Sequence, residues 1–329
     1  MATSPLNIRL SFHSRSNSLP SRQHPIALQV GEIRLMASET ASTSSSSSSI
    51  GHNLNGLQDL HECVDLLLQL PLTLQVLAQE QHRQCVELLL DRFLLLLDVC
   101  STAKDALLQT KECTQELQSV FRRRRGAEMG LVIEVRKYLT SRKAMKKVIC
   151  KALKNLKQME TKSNTSSFNN DGENGDVISI LREVEAVTVR VLQSLLSFIS
   201  GPDAESKLCR WSLVLKLMHQ KRVGCVEEQN TNEIANAEAA LRSLIKSDNI
   251  KHIENVQIEL QKSELCIQDL EEGLENLFRR LIKARVIVLN ILNCYYYGNQ
   301  KPKFCVWILH NFCLVSTIKS IGLTSSFAN

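Results

Sequence analysis

The sequence predicts an all-α protein: an elongated multi-helix bundle with a long, heptad-patterned C-terminal helix and a disordered N-terminal arm. Turn-forming residues are scarce, since the 329 residues include 12 Gly and 6 Pro, and between Ile26 and Asn293 only Pro71 and Pro202 occur. Hydrophobic residues make up 43% of the chain and aromatic residues 5%, so aliphatic side chains must build most of the core. Because a many-stranded sheet needs many turns, all-β and α/β folds are disfavoured.

The disordered N-terminal arm is predicted over residues 1–53, which are rich in serine. Residues 1–50 contain 14 Ser and 3 Thr, including the run Ser44–Ser49. A segment of this composition buries too little apolar surface to offset the entropy that is lost on ordering. A helical bundle domain is predicted to follow over residues 54–293.

Apolar residues spaced three and four apart predict the helices of this domain in order. The first begins near Leu54 and is ended or kinked by Pro71, and a long helical segment follows over Leu72–Arg125 before a break at Gly126 and Gly130. The next helix is predicted over Leu131–Met159, and a polar loop follows over Thr161–Asp176. Asp176 is predicted to cap a further helix, which Gly201–Pro202 ends. Another helix is predicted to start at Asp203, and a short helix to Lys246 follows the polar linker Glu227–Asn232.

The last helix, predicted from a cap at Asp248 to Leu292, has the most regular pattern in the chain. The core positions of six heptads run from Ile253 to Ile291, and 11 of these 12 positions are apolar, Ser263 being the exception. A 3.5-residue repeat of this length predicts coiled-coil-like packing over roughly 67 Å of helix. The partner is either the chain's own long helices or a second copy, so a homo-oligomer through residues 253–291 is an alternative.

Residues 294–329 differ in composition from the rest of the chain. They hold 7 of the 15 aromatic residues, and their only charges are Lys301, Lys303 and Lys319. No helical period continues into this tail. We interpret it as translated non-coding sequence, a gene-model artefact, and the alternative is an apolar tail that docks on a partner or a membrane surface.

The sequence contains no motif of a familiar catalytic chemistry. Gly-rich phosphate loops and the Gly-x-Ser-x-Gly elbow do not occur, and the dipeptide His61–Glu62 is followed at the zinc-ligand position by Asp65 instead of His. The 11 cysteines include no CxxC pair, which favours reduced and mostly buried thiols. We therefore expect no enzyme, no cofactor and no metal site.

The first candidate site is a phosphorylation motif in the arm, formed by Arg15, Ser16, Ser18 and Pro20 in the segment RSNSLP. An arginine three residues before Ser18 suits kinases that prefer basic substrates. Phosphorylated Ser18 would match the pattern that 14-3-3 proteins bind, because the added negative charge pairs with an arginine cluster. The sequence therefore predicts 14-3-3 proteins as partners.

The second candidate site is a basic surface between residues 122 and 157, where thirteen cations stand against Glu128 and Glu134. The residues predicted to form it are Arg122, Arg123, Arg124, Arg125, Arg142, Lys143, Lys146, Lys147, Lys151 and Lys154. Three interpretations compete: an anionic lipid surface, nucleic acid phosphates, and the acidic segment Glu227–Glu275 of the same chain. Nucleic acid is disfavoured because Tyr138 is the only aromatic residue in the block.

Six segments of the chain resemble the plant domain of unknown function 241 family, the BYPASS-like proteins. They are RSNSLPSRQHP (Arg15–Pro25), GLQDLHECVDLLLQLPLT (Gly56–Thr73), LLDVCSTAKDALLQTKECTQELQS (Leu96–Ser119), RRRRG (Arg122–Gly126), YLTSRKAMKKVICKALKNLK (Tyr138–Lys157) and LEEGLENLFRRLIKARVIVLNILN (Leu270–Asn293). The resemblance implies a plant, all-helical, non-enzymatic protein linked to root and shoot development. It implies no ligand and no catalytic residue.

These observations together favour a helical interaction or regulatory protein in plant development, regulated by phosphorylation of Ser18. The alternative is a peripheral membrane adaptor that binds anionic lipid through the basic helix of residues 131–159. We expect a cytoplasmic location, with the membrane periphery or the plastid as alternatives. The plastid alternative rests on an N-terminus that carries Arg9, Arg15 and Arg22 and has no acidic residue before Glu32.

Overall fold

A computed structural model describes residues 46–123, 128–165, 175–201, 232–246 and 250–298. Within these ranges the chain forms seven α-helices and one 3₁₀ turn, and no strand. The helices are α1 (Ser47–Leu68), α2 (Pro71–Leu77), α3 (Arg83–Arg123), α4 (Glu128–Thr165), α5 (Gly175–Ser200), α6 (Glu233–Lys246) and α7 (Ile250–Gly298), with the 3₁₀ turn at Glu80–His82 between α2 and α3. The all-α prediction is confirmed for this part of the chain.

Helix α1 begins earlier than the predicted domain boundary at Leu54. The side chain of Ser46 caps the helix by accepting a hydrogen bond of 3.3 Å from the backbone N–H of Ser49. Ile50 then lies buried in the core. The serine run therefore ends in a helix, because one serine supplies the cap and the next apolar side chain supplies the buried contact. Residues 1–45 of the predicted arm lie outside the described residues.

Pro71 separates two helices instead of kinking one. It occupies the first turn of α2, where its fixed φ angle suits a helix and its missing N–H costs nothing. The 3₁₀ turn then reorients the chain before α3 begins at Arg83. The single long segment predicted over Leu72–Arg125 is therefore wrong at its N-terminal end, where it is split into α2, the turn and α3.

Other observed helix boundaries differ from the predicted ones by a few residues. Gly130 lies inside α4 and does not break it, and Asp176 lies within α5 instead of capping it. Gly201 ends α5 as predicted, in the left-handed region with φ +74° that glycine adopts at low cost. The predicted cap at Asp248 and the helix predicted from Asp203 lie outside the described residues.

Helix α7 is the axis against which the other helices pack. It runs antiparallel to α3, because Lys111 Nζ lies 2.7 Å from Glu271 Oε2 while Gln118, farther along α3, bonds Glu264, earlier in α7. It runs parallel to α1, whose Leu54 abuts Gly273 and whose Asp65 meets Arg280. Helix α6 folds back along the N-terminal part of α7.

The heptad prediction for α7 is confirmed. Eleven of its 12 core positions are buried, Ser263 among them, and Ile253 is half-buried. The seam packs against helices of the same chain, chiefly α3, α1 and α6. Association of residues 253–291 with a second copy stays a prediction.

Two hydrophobic cores lie along α3 and α7. The larger is built by α1, α5, the second half of α4 and long stretches of α3 and α7. The smaller lies at the other end of the bundle and consists of Leu117, Phe121, Val135, Tyr138, Ala237, Leu241, Val256 and Leu260. The prediction of an elongated bundle is confirmed, and its length follows from two long helices shared by both cores.

Helix α7 also extends beyond the predicted domain end at Asn293. Its backbone stays helical to Gly298, which is the first Gly or Pro after Asn293. The helical backbone therefore continues into the tail that was predicted to begin at Cys294. Residues 299–329 of the tail lie outside the described residues.

Candidate functional site

The structure divides the predicted basic surface into two groups. Lys143, Lys147, Lys151 and Lys154 are exposed on α4, and Arg122 and Arg123 are exposed at the C-terminal end of α3. Arg142 is buried and Lys146 is largely covered, so these two residues do not belong to the surface. Arg124 and Arg125 lie outside the described residues. The ten predicted residues thus do not form one continuous basic patch.

Arg142 was predicted on the surface but lies at the centre of a buried polar junction between four helices. Its Nε donates to Glu238 Oε1 of α6 at 2.7 Å, and its Nη1 donates to Thr110 Oγ1 of α3 at 2.9 Å. Its Nη2 donates to the backbone carbonyl of Ile199, at the C-terminal end of α5, at 2.5 Å. That carbonyl would otherwise have no partner in its own helix. Arg142 therefore joins α4 to α3, α5 and α6.

Glu238 completes the junction by accepting from a second cation. Lys146 Nζ lies 2.8 Å from its other carboxylate oxygen, Oε2, and Arg242 lies 3.6 Å from the same atom. Burial opposes ionisation of Glu238, but Arg142 and Lys146 outweigh it and hold the pKa of this carboxyl below its usual range. The carboxylate is therefore charged when the protein is folded. The intramolecular interpretation of the basic block is correct for Arg142 and Lys146.

The four remaining lysines of the predicted basic surface form a row on the outer face of α4. Spacings of four, four and three residues place Lys143, Lys147, Lys151 and Lys154 along one side of the helix. No hydrogen bond or ion pair engages them within the described part of the chain. Val148, which is 50% exposed, lies among them. We call these four residues the lysine row.

A second buried ion pair, which the sequence analysis did not identify, connects α3 to α5. Arg92 Nη1 donates to Glu185 Oε1 at 2.6 Å, and both side chains are more than 90% buried. Burial raises the pKa of Glu185 despite the attraction of Arg92. The contrast with Glu238 has a simple cause, since Glu238 receives bonds from two cations and Glu185 from one.

Helix α1 is held by two further polar contacts that sequence reasoning missed. His61 Nε2 lies 3.0 Å from Thr188 Oγ1 of α5, and the Thr188 hydroxyl donates to the carbonyl of Val184. The histidine is therefore the donor to Thr188, through a protonated Nε2. Asp65 Oδ2 accepts from Arg280 and Lys283 of α7, each at 3.0 Å.

Burial lowers the pKa of His61 to about 4, with a smaller contribution from the charge of Arg280. The imidazole is thus neutral in the folded protein at neutral pH, with its Nδ1 buried and unpartnered. Protonation would place an uncompensated charge in the core.

The described residues show no arrangement of three or more His, Cys, Asp or Glu side chains suited to a metal ion. None of the helices in these ranges is long and apolar enough to cross a membrane. Six cysteines form no disulfide bond: Cys63, Cys85, Cys100, Cys113, Cys150 and Cys266. The motif formed by Arg15, Ser16, Ser18 and Pro20 lies outside the described residues.

Comparison with known proteins matches the chain to a family model. A family model described as Protein BPS1 matches residues 53–291 of the chain. The match begins inside α1 and ends inside α7, so it spans the whole described bundle except its outermost turns. No curated protein and no solved structure matches the chain.

Replacement of Arg142 by methionine should lower the free energy of unfolding by about 3 kcal/mol, because Glu238 would lose its main partner while staying buried. The matched control is Lys147→Met on the exposed face of the same helix, which should change stability by less than about 0.5 kcal/mol. Urea denaturation followed by circular dichroism measures both. Equal effects of the two variants would contradict the role of Arg142 in the junction.

The stability of the protein should fall as the pH drops from about 6.5 towards 4, because His61 has a lower pKa folded than unfolded and the unfolded chain then binds more protons. Between pH 7.5 and pH 5 this histidine should lower the free energy of unfolding by about 2 kcal/mol. His61→Gln, which can still donate to Thr188, should remove that part of the pH dependence in urea titrations. His52→Gln, at an exposed histidine of α1, is the control and should leave the pH dependence of stability unchanged.

Proposed function

The chain belongs to the BPS1 family, the BYPASS-like proteins, and from this premise we propose that it is a plant developmental regulator that works by binding other proteins and catalyses no reaction. Membership in the family supports the developmental role. The structural argument rests on the six buried His, Asp, Glu and Arg side chains among the described residues: His61, Asp65, Arg92, Arg142, Glu185 and Glu238.

Each of these six side chains bonds a side chain of another helix. Catalytic acids and bases commonly occur where burial perturbs a pKa in a cleft that substrate can enter. Here the buried groups join helices instead, which supports a scaffold over a reaction centre. Of the predicted basic surface, the part left to contact a partner among the described residues of α4 is the lysine row.

Regulation of this scaffold is proposed to occur at Ser18. The arginine at position 15 and the proline at position 20 match the pattern of a phosphorylated segment bound by 14-3-3 proteins. A phosphate adds between one and two negative charges at neutral pH, which an arginine cluster of the partner would neutralise. Support for this step comes from the sequence of the arm, and under this proposal the protein acts in the cytoplasm.

Proximity labelling in plant tissue should recover 14-3-3 proteins with the wild-type chain and lose them with Ser18→Ala, because the alanine cannot carry the phosphate. The matched control is Ser21→Ala, a neighbouring serine that the motif does not use. Full recovery of 14-3-3 proteins with Ser18→Ala would remove the proposed regulation. A reaction product formed by the purified wild-type chain and lost in a single-residue variant would contradict the non-enzymatic role.

A second candidate function is that of a peripheral membrane adaptor, and the lysine row favours it. The row spans Lys143–Lys154, is unpaired within the described residues, and has the exposed Val148 next to Lys147 and about one turn from Lys151. Lysines near an anionic bilayer contribute about 1 kcal/mol each, and an apolar side chain among them can enter the interface. Under this proposal the protein acts at the membrane periphery.

Changing all four residues of the lysine row to glutamine should lower binding to vesicles that contain phosphatidylserine by at least about tenfold, because four attractive charges are lost. Flotation with phosphatidylcholine vesicles, with and without phosphatidylserine, measures this change. Lys262→Gln, an exposed lysine of α7, is the control and should bind as the wild type does. Equal binding to neutral vesicles, or salt-dependent retention on RNA by the same lysines, would contradict the membrane proposal.

A further inference from the structure

A polar groove lies between the N-terminal half of α1 and the middle of α7. It encloses about 740 Å³ and is open to solvent along one side. Polar side chains of both helices line it, notably His52, Asn55, Asp269, Glu272 and Asn276. A volume of this size is within the range of sites that bind ligands or short peptide segments.

The groove forms because α1 and α7 are in close contact along its floor, whereas the positions above that contact carry little side-chain volume. A Cβ added to Gly273 would lie 3.1 Å from the Cβ of Leu54, so the helices are in close contact there. A Cβ added to Gly51, which lines the groove, would have nothing within 4 Å. The space is thus a consequence of the packing of α1 against α7.

Three carboxylates lie in or beside the groove. Asp269 and Glu272 line it along α7, and Glu233 of α6 accepts a hydrogen bond of 2.6 Å from Ser47, where α1 begins. No ion pair neutralises any of the three within the described part of the chain, and Glu233 Oε2 is buried without a partner.

The thiol of Cys266 shows the effect of this negative charge. Burial raises its pKa to about 12, and the nearby carboxylates of Glu233 and Asp269 add to that shift. An uncompensated negative field of this kind favours a guanidinium ligand, which can bond carboxylates through two N–H groups at once. The amide side chains of Asn55 and Asn276 can bond the backbone of an extended segment beside it.

The chain itself supplies such a segment and attaches it next to the groove. Residues 1–45 of the N-terminal arm lead directly into Ser46 and Ser47, where the groove begins. They carry Arg15 and Arg22 seven residues apart, with no acidic residue before Glu32. A segment attached this close to its site has an effective concentration on the order of millimolar, so a weak contact suffices for docking.

We propose that Arg15–Arg22 of the N-terminal arm docks in this groove, with its arginines against the carboxylates of Asp269, Glu272 and Glu233. Phosphorylation of Ser18 would add negative charge between the two arginines and release the segment for a partner. Only this release depends on the regulation proposed above. Docking of the unphosphorylated arm does not.

Photo-crosslinking of the full-length recombinant chain, with p-benzoylphenylalanine in place of Leu19, tests the docking. Irradiation followed by mass spectrometry should locate intramolecular adducts on residues 47–58 and 266–276. The double variant Asp269→Lys/Glu272→Lys should lower their yield about fivefold, as the loss of favourable charge pairs would. Arg15→Glu/Arg22→Glu should do the same. The four changes together should restore the yield to within about twofold of the wild type.

Two controls separate docking from a general charge effect. Glu254→Lys lies on an exposed position of α7 away from the groove, and Arg34→Glu changes the arm beyond the docking segment. Both should leave the adducts near wild-type yield, with helix content unchanged by circular dichroism. The proposal would be overturned by adducts located elsewhere or by adducts that form only between two chains. It would also be overturned if neither charge reversal changed the yield. The chain here is unphosphorylated, so these outcomes are independent of 14-3-3 binding.

Discussion

The structure depends most on the buried bond between Arg142 and Glu238. Taking an arginine and a glutamate out of water costs several kcal/mol per ion, and only good geometry with further hydrogen bonds offsets that cost. Both conditions hold, because Arg142 makes three bonds between 2.5 and 2.9 Å and Glu238 uses both carboxylate oxygens. The junction lies between the two hydrophobic cores, and it fixes how α6 and the end of α5 meet α3 and α4.

The same bond determines what α4 presents to the outside. A helix that turns Arg142 inward must turn the positions near Lys143 and Lys147 outward, since side chains follow the 3.6-residue period. The apolar side of α4, with Ile149 and Leu156 fully buried, fixes the same rotation. The packing of α4 therefore fixes the backbone positions of the lysine row.

Much of this fold follows from the sequence alone, and the part that does not has a definite physical cause. The heptads of α7 were predictable because every core position but Ser263 is apolar. The helix start at Ser47 and the break between α2 and α3 were missed because a cap and a short 3₁₀ turn act through a few local bonds, which periodicity does not detect.

The buried charges were missed although the sequence does carry a signal for them. Arg142 follows Tyr138 by four residues and precedes Met145 by three, so it occupies a position of the apolar stripe of α4. Glu238 stands in the same relation to Ile234 and Leu241. A charged residue in phase with a core stripe predicts burial with a partner. The identity of that partner depends on tertiary structure and cannot be predicted from the period.

Those partners lie far apart in the chain, which bears on how the protein acts. The bonded residues are separated by 93 positions for Arg92 and Glu185, 96 for Arg142 and Glu238, and 127 for His61 and Thr188. Slipping one helix by a turn would leave such charges buried and unpaired, at a cost of several kcal/mol, whereas a purely aliphatic seam tolerates repacking more readily. The polar contacts thus select one arrangement among many that the leucine-rich faces would allow. A bundle locked in this way is suited to hold fixed surfaces in register, which is the property a docking scaffold needs.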